Sequence, residues 1–327
     1  MRLVTFEQSG SQFVGALVGR DGVTNLTSAG AESGSGRPEW FGSMQALIEA
    51  GEAGLDAARA LADRADHVVS LSGVRLLAPL PRPQSIRDYF TFPGHILRSA
   101  AGMQRLRARI AGEPIPNAPP FTELPELYRQ KAIYHKCNPL TVVGPNVEVP
   151  WPAYSRYMDF ELEIAVVIGR RGIDIAAADA GQHIFGYTIF NDFSARDAQM
   201  EEMPGMMGPA KGKDFDRSNV IGPCIATADE FADVHNIAMR AFVNGQQMAE
   251  GSTAEMLHSF EDIIAYQSRG ETLYPGELFG SGTMSGGCGL EHDRFLEDGD
   301  EVTLEIDGIG RLTNMVRRAD PTERSPR

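Results

Sequence analysis

Residues 158–169, MDFELEIAVVIG, are the part of the sequence that most restricts how the chain can fold. Asp159, Glu161 and Glu163 alternate with apolar residues, and alternate side chains of a β-strand lie on the same face. The run that follows is apolar on both faces, as in a strand that enters a core. A half-exposed strand with a charged outer face is the simplest interpretation. Because buried like charges are costly unless paired or bound to a cation, the stretch also predicts a site for a hard cation such as Mg²⁺ or Ca²⁺.

The rest of the chain is predicted to be mainly β-structure. Short apolar runs separated by Gly-Pro, Asn-Pro and Asn-Gly signals dominate from residue 132 onward, and similar runs lie near the start of the chain. Residues 43–65 have a helical pattern with Ser43 as the N-cap. The regular alternation of strands and helices that marks a doubly wound fold is missing. We therefore predict an α+β fold that is mainly β.

Three parts of the chain are predicted from its prolines and polar residues. A proline-rich connector at 76–86 follows a small N-terminal α/β domain, residues 1–75, and opens a catalytic domain, residues 76–317. Residues 318–327 are predicted to form a polar tail. Within the larger domain, the prolines at positions 114, 116, 119 and 120 predict a largely irregular segment. The prolines and arginines of residues 93–120 are predicted to form a lid over a binding site.

Composition and charge argue against several classes of protein. The net charge of −14 does not suit a nucleic-acid-binding surface, which needs to be basic. No apolar run approaches the roughly 20 residues that span a bilayer, and the start of the chain has no long apolar segment, so neither a membrane partner nor a secretory signal is expected. The 3 cysteines are widely spaced and form no CxxC pair. This pattern favours a reducing cytoplasm over a disulfide framework.

Other motifs narrow the chemistry. The glycine-rich stretch GPAKGKDFD, residues 208–216, departs from the phosphate-binding loop, and its Lys213 is predicted to offer an ammonium group to a substrate oxyanion. The sequence contains no HExxH, no GxSxG, and no GxGxxG between a strand and a helix, which excludes zincins and α/β-hydrolases and leaves a dinucleotide site unsupported. Asp192, which ends an apolar strand, is a candidate third cation ligand. Asp197 is interpreted as a structural acid paired with Arg196.

Five motifs together resemble the fumarylacetoacetate hydrolase family. MDFELEIAVVIGR, GYTIFNDFSARDAQ, GPAKGKDFD, IGP and SGTMSGG occur in the order and spacing of that family, over about residues 80–310. The resemblance implies a mixed β-sandwich roll with flanking helices, a divalent cation in an acidic site, and a homodimer. Mg²⁺ is the expected cation, with Mn²⁺ or Ca²⁺ as alternatives.

The resemblance also implies roles for particular residues. His95 would be the base that activates water, and Lys213 would stabilise developing negative charge. The remaining roles are those of cation ligands, for which the resemblance implies Glu161, Glu163, Asp192 and Asp88. Predicted substrate contacts are Phe90, Tyr134, Gln199 and Thr283.

Two assignments near this site are left open. Smaller members of the family carry a His–Glu pair on a lid, and Arg98 stands where that Glu is expected. The acid partner of His95 is therefore unassigned, with Glu291 and Glu297 as candidates from the C-terminal part of the chain. Asp159 has no ligand role in the resemblance and is predicted to be a neighbour of the ligands or to face solvent.

The implied reaction is the metal-dependent hydrolysis of a carbon–carbon bond in a 1,3-dicarbonyl substrate, such as an acylpyruvate or a compound like fumarylacetoacetate. A cation would stabilise the leaving enolate, and a base would activate water. Decarboxylation, hydration or isomerisation of an oxo acid needs the same enolate chemistry and is the alternative. A third hypothesis is a non-catalytic binding protein that a metal ion stabilises. The partner in the enzymatic cases is a small oxo acid or dicarbonyl compound.

Overall fold

Two β-sheets and a short two-stranded ribbon dominate the protein, as seen in a computed structural model that describes residues 1–33, 37–64, 66–117 and 119–318. Within these residues, one sheet has 12 strands, the other has 5, and short helices flank both. The predicted α+β, mainly β fold is confirmed. The predicted tail lies outside the described residues apart from Arg318.

The large sheet is mixed and carries most of the candidate site. Its strands, in spatial order, are β4 (Val68–Ser70), β3 (Gly22–Asn25), β2 (Ser11–Val18), β1 (Arg2–Gln8), β14 (Asn219–Thr227), β12 (Ile184–Asp192), β11 (Leu162–Ile168), β17 (Glu277–Gly280), β6 (Ser85–Tyr89) and β7 (Tyr134–Cys137). Two short strands pair at its sides, β5 (Arg75–Leu76) with β1 and β8 (Val142–Val143) with β14. β7, the last strand in this order, is only a few residues from β8 in the chain, and β8 pairs with β14. The sheet therefore curls, which brings the end of β7 towards β14.

The N-terminal strands extend the large sheet. β1 is antiparallel to β14, with Leu3 opposite Ile225. Val4 and Phe6 of β1 belong to the same hydrophobic cluster as residues of β11 and β12. The predicted division of the chain at residue 75 stays a prediction, and the two sides of that position share one sheet.

The smaller sheet packs beside the large one. Its order is β16 (Gln246–Ser252), β15 (Ala238–Val243), β18 (Glu301–Ile306), β19 (Gly310–Arg318) and β9 (Glu148–Trp151), and the separate ribbon pairs β10 (Met158–Asp159) with β13 (Ser194–Ala195). The Asn244–Gly245 dipeptide connects β15 to β16, and both residues have positive φ. The Asn-Gly signal noted in the sequence thus marks a hairpin, a connection that favours this dipeptide.

The helices are α1 (Leu26–Glu32), α2 (Met44–Glu49), α3 (Gly51–Asp63), α4 (Pro93–Ala111), α5 (Glu126–Gln130), α6 (Ala177–Ala180), α7 (Arg196–Glu202), α8 (Phe260–Gln267) and α9 (Gly289–His292). Ser43 caps α2 as predicted, its side chain accepting a hydrogen bond from Ala46 N. The helix predicted at 43–65 is two helices, because Gly51 has φ 61° and interrupts it; residue 65 lies outside the description. No helix in the described ranges combines the length and apolar character needed to cross a membrane.

Helix α4 changes the prediction for the lid. It spans 19 residues and ends at Gly112, which has the left-handed conformation that glycine tolerates best. The irregular segment predicted from its prolines begins only after this helix. The basic residues of the predicted lid therefore lie on a regular helix, and α4 contributes one wall of the cavity described below.

Candidate active site

Four buried carboxylates converge where neighbouring strands of the large sheet meet. Asp88 lies on β6, Glu163 on β11 and Asp192 at the end of β12, while Glu161 immediately precedes β11. One carboxylate oxygen from each residue can be chosen so that all four lie within 4.8 Å of one another. The structure thus brings together all four residues that were predicted as cation ligands, although their role stays a prediction.

Gly280 creates the space that this cluster occupies. It lies on β17, between β11 and β6, and pairs with Ala165 on one side and Asp88 on the other. A Cβ atom at Gly280 would lie 2.7 Å from Glu163 Oε2 and 3.0 Å from Asp88 Oδ1. Only glycine leaves both carboxylates where they are. The sequence analysis missed this residue, because its importance depends on which strands are neighbours.

Gly280→Ala is therefore expected to displace both carboxylates. We expect the variant to lose roughly 1–3 kcal/mol of stability through overpacking, and to bind Mg²⁺ or Mn²⁺ about tenfold more weakly. Thermal melts with and without metal would measure both effects. Gly73→Ala is the control, because a Cβ atom there meets nothing within 4 Å. Unchanged metal affinity in Gly280→Ala would contradict the role of this gap.

Two cationic side chains partly neutralise the cluster. Lys213 Nζ donates to Asp192 Oδ2 at 2.6 Å and also to Glu161. Arg196 Nη2 lies 2.8 Å from Glu161 Oε1. Lys213 lines the cavity, but in this structure its ammonium group binds the carboxylates that would hold a cation. Its predicted contact with a substrate oxyanion stays a prediction.

Three oxygens of the cluster have no hydrogen-bond partner in the described part of the chain. They are buried and belong to the residues Asp88 (Oδ1), Glu163 (Oε1) and Asp192 (Oδ1). Unsatisfied buried oxygens are uncommon, and carboxylate oxygens are the preferred ligands of Mg²⁺, Mn²⁺ and Ca²⁺. The donor set therefore fits a divalent cation.

The pKa values of these groups differ because their partners differ. Burial, followed by the charge of Asp88, raises the pKa of Glu163 well above its usual range. Burial likewise raises the pKa of Asp192, although Lys213 acts in the opposite direction. Burial also tends to raise the pKa of Glu161, but the charges of Lys213 and Arg196 outweigh it and lower that pKa. A bound cation would replace protons on the first two groups.

Asp159 is a buried neighbour of the ligands. Its Oδ1 accepts a hydrogen bond from the Gly289 amide at 2.7 Å, and its Oδ2 accepts one from the Leu290 amide at 2.9 Å. Arg196 Nε donates to the same Oδ2 at 2.8 Å. Asp159 therefore connects β10, which ends two residues before Glu161, to the start of α9. Its side chain is fully buried, so the solvent-facing alternative is wrong.

The predicted pairing of Arg196 with Asp197 is also wrong. Asp197 accepts hydrogen bonds from Ser155 Oγ at 2.5 Å and from the Arg156 amide at 2.8 Å. It is a structural acid, as predicted, but it fixes a different loop. Adjacent residues of a helix point in different directions, and Arg196 turns instead towards the buried carboxylates.

His95 lies in the first turn of α4 and is held by an acid on α9. Its Nδ1 is 2.7 Å from Glu291 Oε1, and Glu291 Oε2 accepts a hydrogen bond from the Gly286 amide at 2.8 Å. Arg98 is 3.7 Å from the same carboxylate. Glu291 is therefore the acid partner of His95, whereas Glu297 is exposed. With Nδ1 engaged, Nε2 is the nitrogen left for proton transfer.

A cavity of about 790 Å³ is lined both by His95 and by part of the carboxylate cluster. His95, Lys213 and two of the carboxylates, Asp88 and Glu161, form part of its lining. Helices α4 and α7, the turn directly after α7 and residues 121–128 contribute apolar lining, which includes Ile96, Ala100, Met103, Phe121, Met200 and Met203. A base and a carboxylate cluster thus face one cavity that is large enough for a small organic acid.

The predicted substrate contacts have different positions. Phe90, Tyr134 and Gln199 line the cavity. Gln199 Oε1 accepts a hydrogen bond from Arg196 at 3.0 Å, which holds it beside the cluster. Thr283 is buried in the loop after β17, outside the set of described residues that line the cavity. All four roles in substrate binding stay predictions.

Comparison with known proteins gives consistent results along the whole chain. The family model described as fumarylacetoacetate hydrolase, C-terminal, matches residues 115–317. The human protein named oxaloacetate tautomerase FAHD2A, mitochondrial, is 33% identical over 97% of this chain and 91% of its own length. Oxaloacetate tautomerase YisK of Bacillus subtilis is 29% identical over 97% of this chain and 100% of its own length.

A solved structure shows the same architecture. The fumarylacetoacetate hydrolase of the psychrophile Exiguobacterium antarcticum superimposes with a TM-score of 0.74 and 28% identity, covering 98% of this chain and 100% of that one. Fold and site define an enzyme with a carboxylate-lined cavity. The chain belongs to the fumarylacetoacetate hydrolase family, which confirms the resemblance inferred from its motifs. The predicted homodimer and cytoplasmic location stay predictions.

Proposed function

We propose that the protein catalyses proton transfer at the carbon next to the oxo group of a small 2-oxo acid, interconverting its keto and enol forms with the help of a divalent cation. One observation carries this proposal: His95, fixed by Glu291, faces the same cavity as the carboxylate cluster. The relatives named oxaloacetate tautomerase support the choice of substrate class. Isomerisation was among the alternatives that the sequence left open.

The residues of the site divide the work between binding and proton transfer. Asp88, Glu161, Glu163 and Asp192 would hold the cation, and Mg²⁺ or Mn²⁺ suits these oxygens. When bound, such a cation supplies Lewis acidity that stabilises negative charge on a substrate oxygen.

In the keto-to-enol direction, His95 Nε2 takes the proton from carbon and releases it to solvent, while the substrate oxo oxygen takes up a proton from solvent; the enol-to-keto direction reverses both transfers. Glu291 holds the imidazole ring in one orientation throughout. The buried Arg196 donates a hydrogen bond to the side-chain amide oxygen of Gln199, which holds Gln199 at the cavity where the substrate would bind. The mostly apolar lining from α4 and α7 lowers the polarity around these groups, which strengthens their electrostatic contacts.

Hydrolysis of an acylpyruvate is the second candidate, and the size of the cavity favours it. About 790 Å³ lies within the ~300–1,000 Å³ of pockets that hold drug-sized ligands, and a four-carbon acid needs much less. In this reaction His95 would remove a proton from water, which then attacks the carbonyl group at the far end of the substrate. The same base and carboxylates would serve both reactions.

Product analysis separates the two candidates. The purified protein with Mg²⁺ or Mn²⁺ would be given enol oxaloacetate and a panel of acylpyruvates, and both enol absorbance and products would be followed. We expect rapid loss of the oxaloacetate enol signal while total oxaloacetate is conserved. Equimolar pyruvate and carboxylic acid from an acylpyruvate would support hydrolysis instead, and release of carbon dioxide would indicate decarboxylation. No acceleration above buffer on any of these substrates would contradict both candidates.

A further inference from the structure

Strand β7 brings a nitrogen and a sulfur ligand next to the carboxylate cluster. His135 and Cys137 are two residues apart on this strand, so their side chains lie on the same face. The register of β6 and β7 places His135 directly opposite Asp88. Cys137 is buried and reduced, and His135 is one of the residues that line the cavity.

The distances describe a compact group. Cys137 Sγ is 3.4 Å from His135 Nε2, and the same nitrogen is 3.7 Å from Asp192 Oδ2. Ligand atoms of His135, Cys137 and Asp192 can be chosen that all lie within 4.8 Å of one another. Asp192 has no exposed surface, and its Oδ1 has no hydrogen-bond partner in the described part of the protein. Lys213 donates to Asp192 Oδ2, so Oδ1 is the oxygen of this side chain that still lacks a partner.

We propose that His135, Cys137 and Asp192 form a second metal position, which takes a transition metal ion such as Zn²⁺ or Co²⁺ and shares Asp192 with the four-carboxylate cluster. Imidazole and thiolate ligands suit these ions, whereas Mg²⁺ and Ca²⁺ prefer oxygen alone. The thiol loses its proton to solvent when the metal–sulfur bond forms. This second position does not depend on the reaction that the protein catalyses.

Sharing one carboxylate links the two positions. An ion held by His135 and Cys137 takes up oxygen ligands of Asp192 and brings a second dication close to the first. Zn²⁺ at the second position is therefore expected to weaken the binding of Mg²⁺ at the carboxylate cluster. By linkage, Mg²⁺ must weaken the binding of Zn²⁺ by the same factor.

Absorption spectroscopy with Co²⁺ tests the proposal directly. Co²⁺ would be titrated into the full-length protein in excess Mg²⁺, and the near-ultraviolet charge-transfer band of a cobalt–thiolate bond would be recorded. We expect this band in the wild type, its loss in Cys137→Ser, and at least tenfold weaker Co²⁺ binding in His135→Asn. Zn²⁺ should displace Co²⁺ and abolish the band.

Two matched variants identify the sulfur. Cys224 is buried and donates to Ile309 O at 3.4 Å, so Cys224→Ser is expected to keep the band. Cys288 lies 3.9 Å from His95 Nδ1 and 3.5 Å from Glu291 Oε1, which makes it the rival sulfur ligand. A band that persists in Cys137→Ser and disappears in Cys288→Ser would overturn the proposal. Absence of the band in the wild type would overturn it as well, and His135→Asn gives an independent answer if Cys137→Ser does not fold.

Discussion

Glu163→Gln is expected to melt at a higher temperature than the wild type without metal, and to lose the wild-type response to Mg²⁺ or Mn²⁺. Burial and the charge of Asp88 raise the pKa of Glu163, so the folded protein binds this proton more tightly than the unfolded chain does. The contribution of Glu163 to the free energy of unfolding therefore falls as the pH rises above about 4.3, the pKa of a free glutamate. Glutamine carries no charge, and its advantage of roughly 1–3 kcal/mol should be present at pH 7 and absent near pH 4.

When metal is added, the wild type should be stabilised much more than Glu163→Gln. A cation at 100 times its dissociation constant stabilises the folded state by about 2.7 kcal/mol, and Glu163→Gln should gain little of this. Turnover should fall at least about 100-fold with the loss of a ligand. Calorimetric melts at both pH values measure the effect, with the exposed Glu297→Gln as the control. A full metal response in Glu163→Gln would show that the cation binds elsewhere.

His95→Asn is expected to lower kcat by about 10²–10⁴-fold and to leave metal affinity unchanged, because His95 is outside the carboxylate cluster. Glu291→Gln keeps the shape of the pair but removes the charge that orients the imidazole. Its kcat should fall about 10–100-fold with little change in KM. Steady-state kinetics and metal titrations on the same preparations distinguish these effects.

The same control variant applies to this pair. Glu297→Gln should retain wild-type kcat, because its side chain is exposed. If Glu291→Gln retains wild-type kcat as well, Glu291 does not position the base. If His95→Asn lowers metal affinity as much as kcat, His95 supports the cation rather than proton transfer.

Local features of the fold were predictable because their physics is local. Ser43 caps α2 by accepting a hydrogen bond from an amide only three residues later, and Asn244–Gly245 connects two strands that are adjacent in the chain. The carboxylates at Glu161 and Glu163 were visible for the same reason, since alternation along one strand defines a face. Helix α4 was less visible, because its first turn contains Pro93 and Gly94 and the prolines after it suggest an irregular segment.

Contacts between distant parts of the chain were not predictable in the same way. Glu291 is 196 residues from His95, and the sequence could only offer it as one of two candidates. Gly280 matters because β17 lies between β11 and β6, which no periodicity reveals. The partner of Arg196 was predicted wrongly, because Asp197 is its nearest acid in the sequence whereas Asp159 is an acid that it contacts in the structure.

Much of the apolar wall of the cavity comes from parts of the chain that supply none of the four carboxylates. Met103 of α4, Met200 of α7, and Phe121 lie on segments separate from the strands that carry the carboxylates. Substitutions there can alter which substrates fit while the reacting groups keep their positions. Such a division makes the scaffold a good starting point for directed evolution: libraries confined to these positions should explore new oxo acids without sacrificing the chemistry that all of them need.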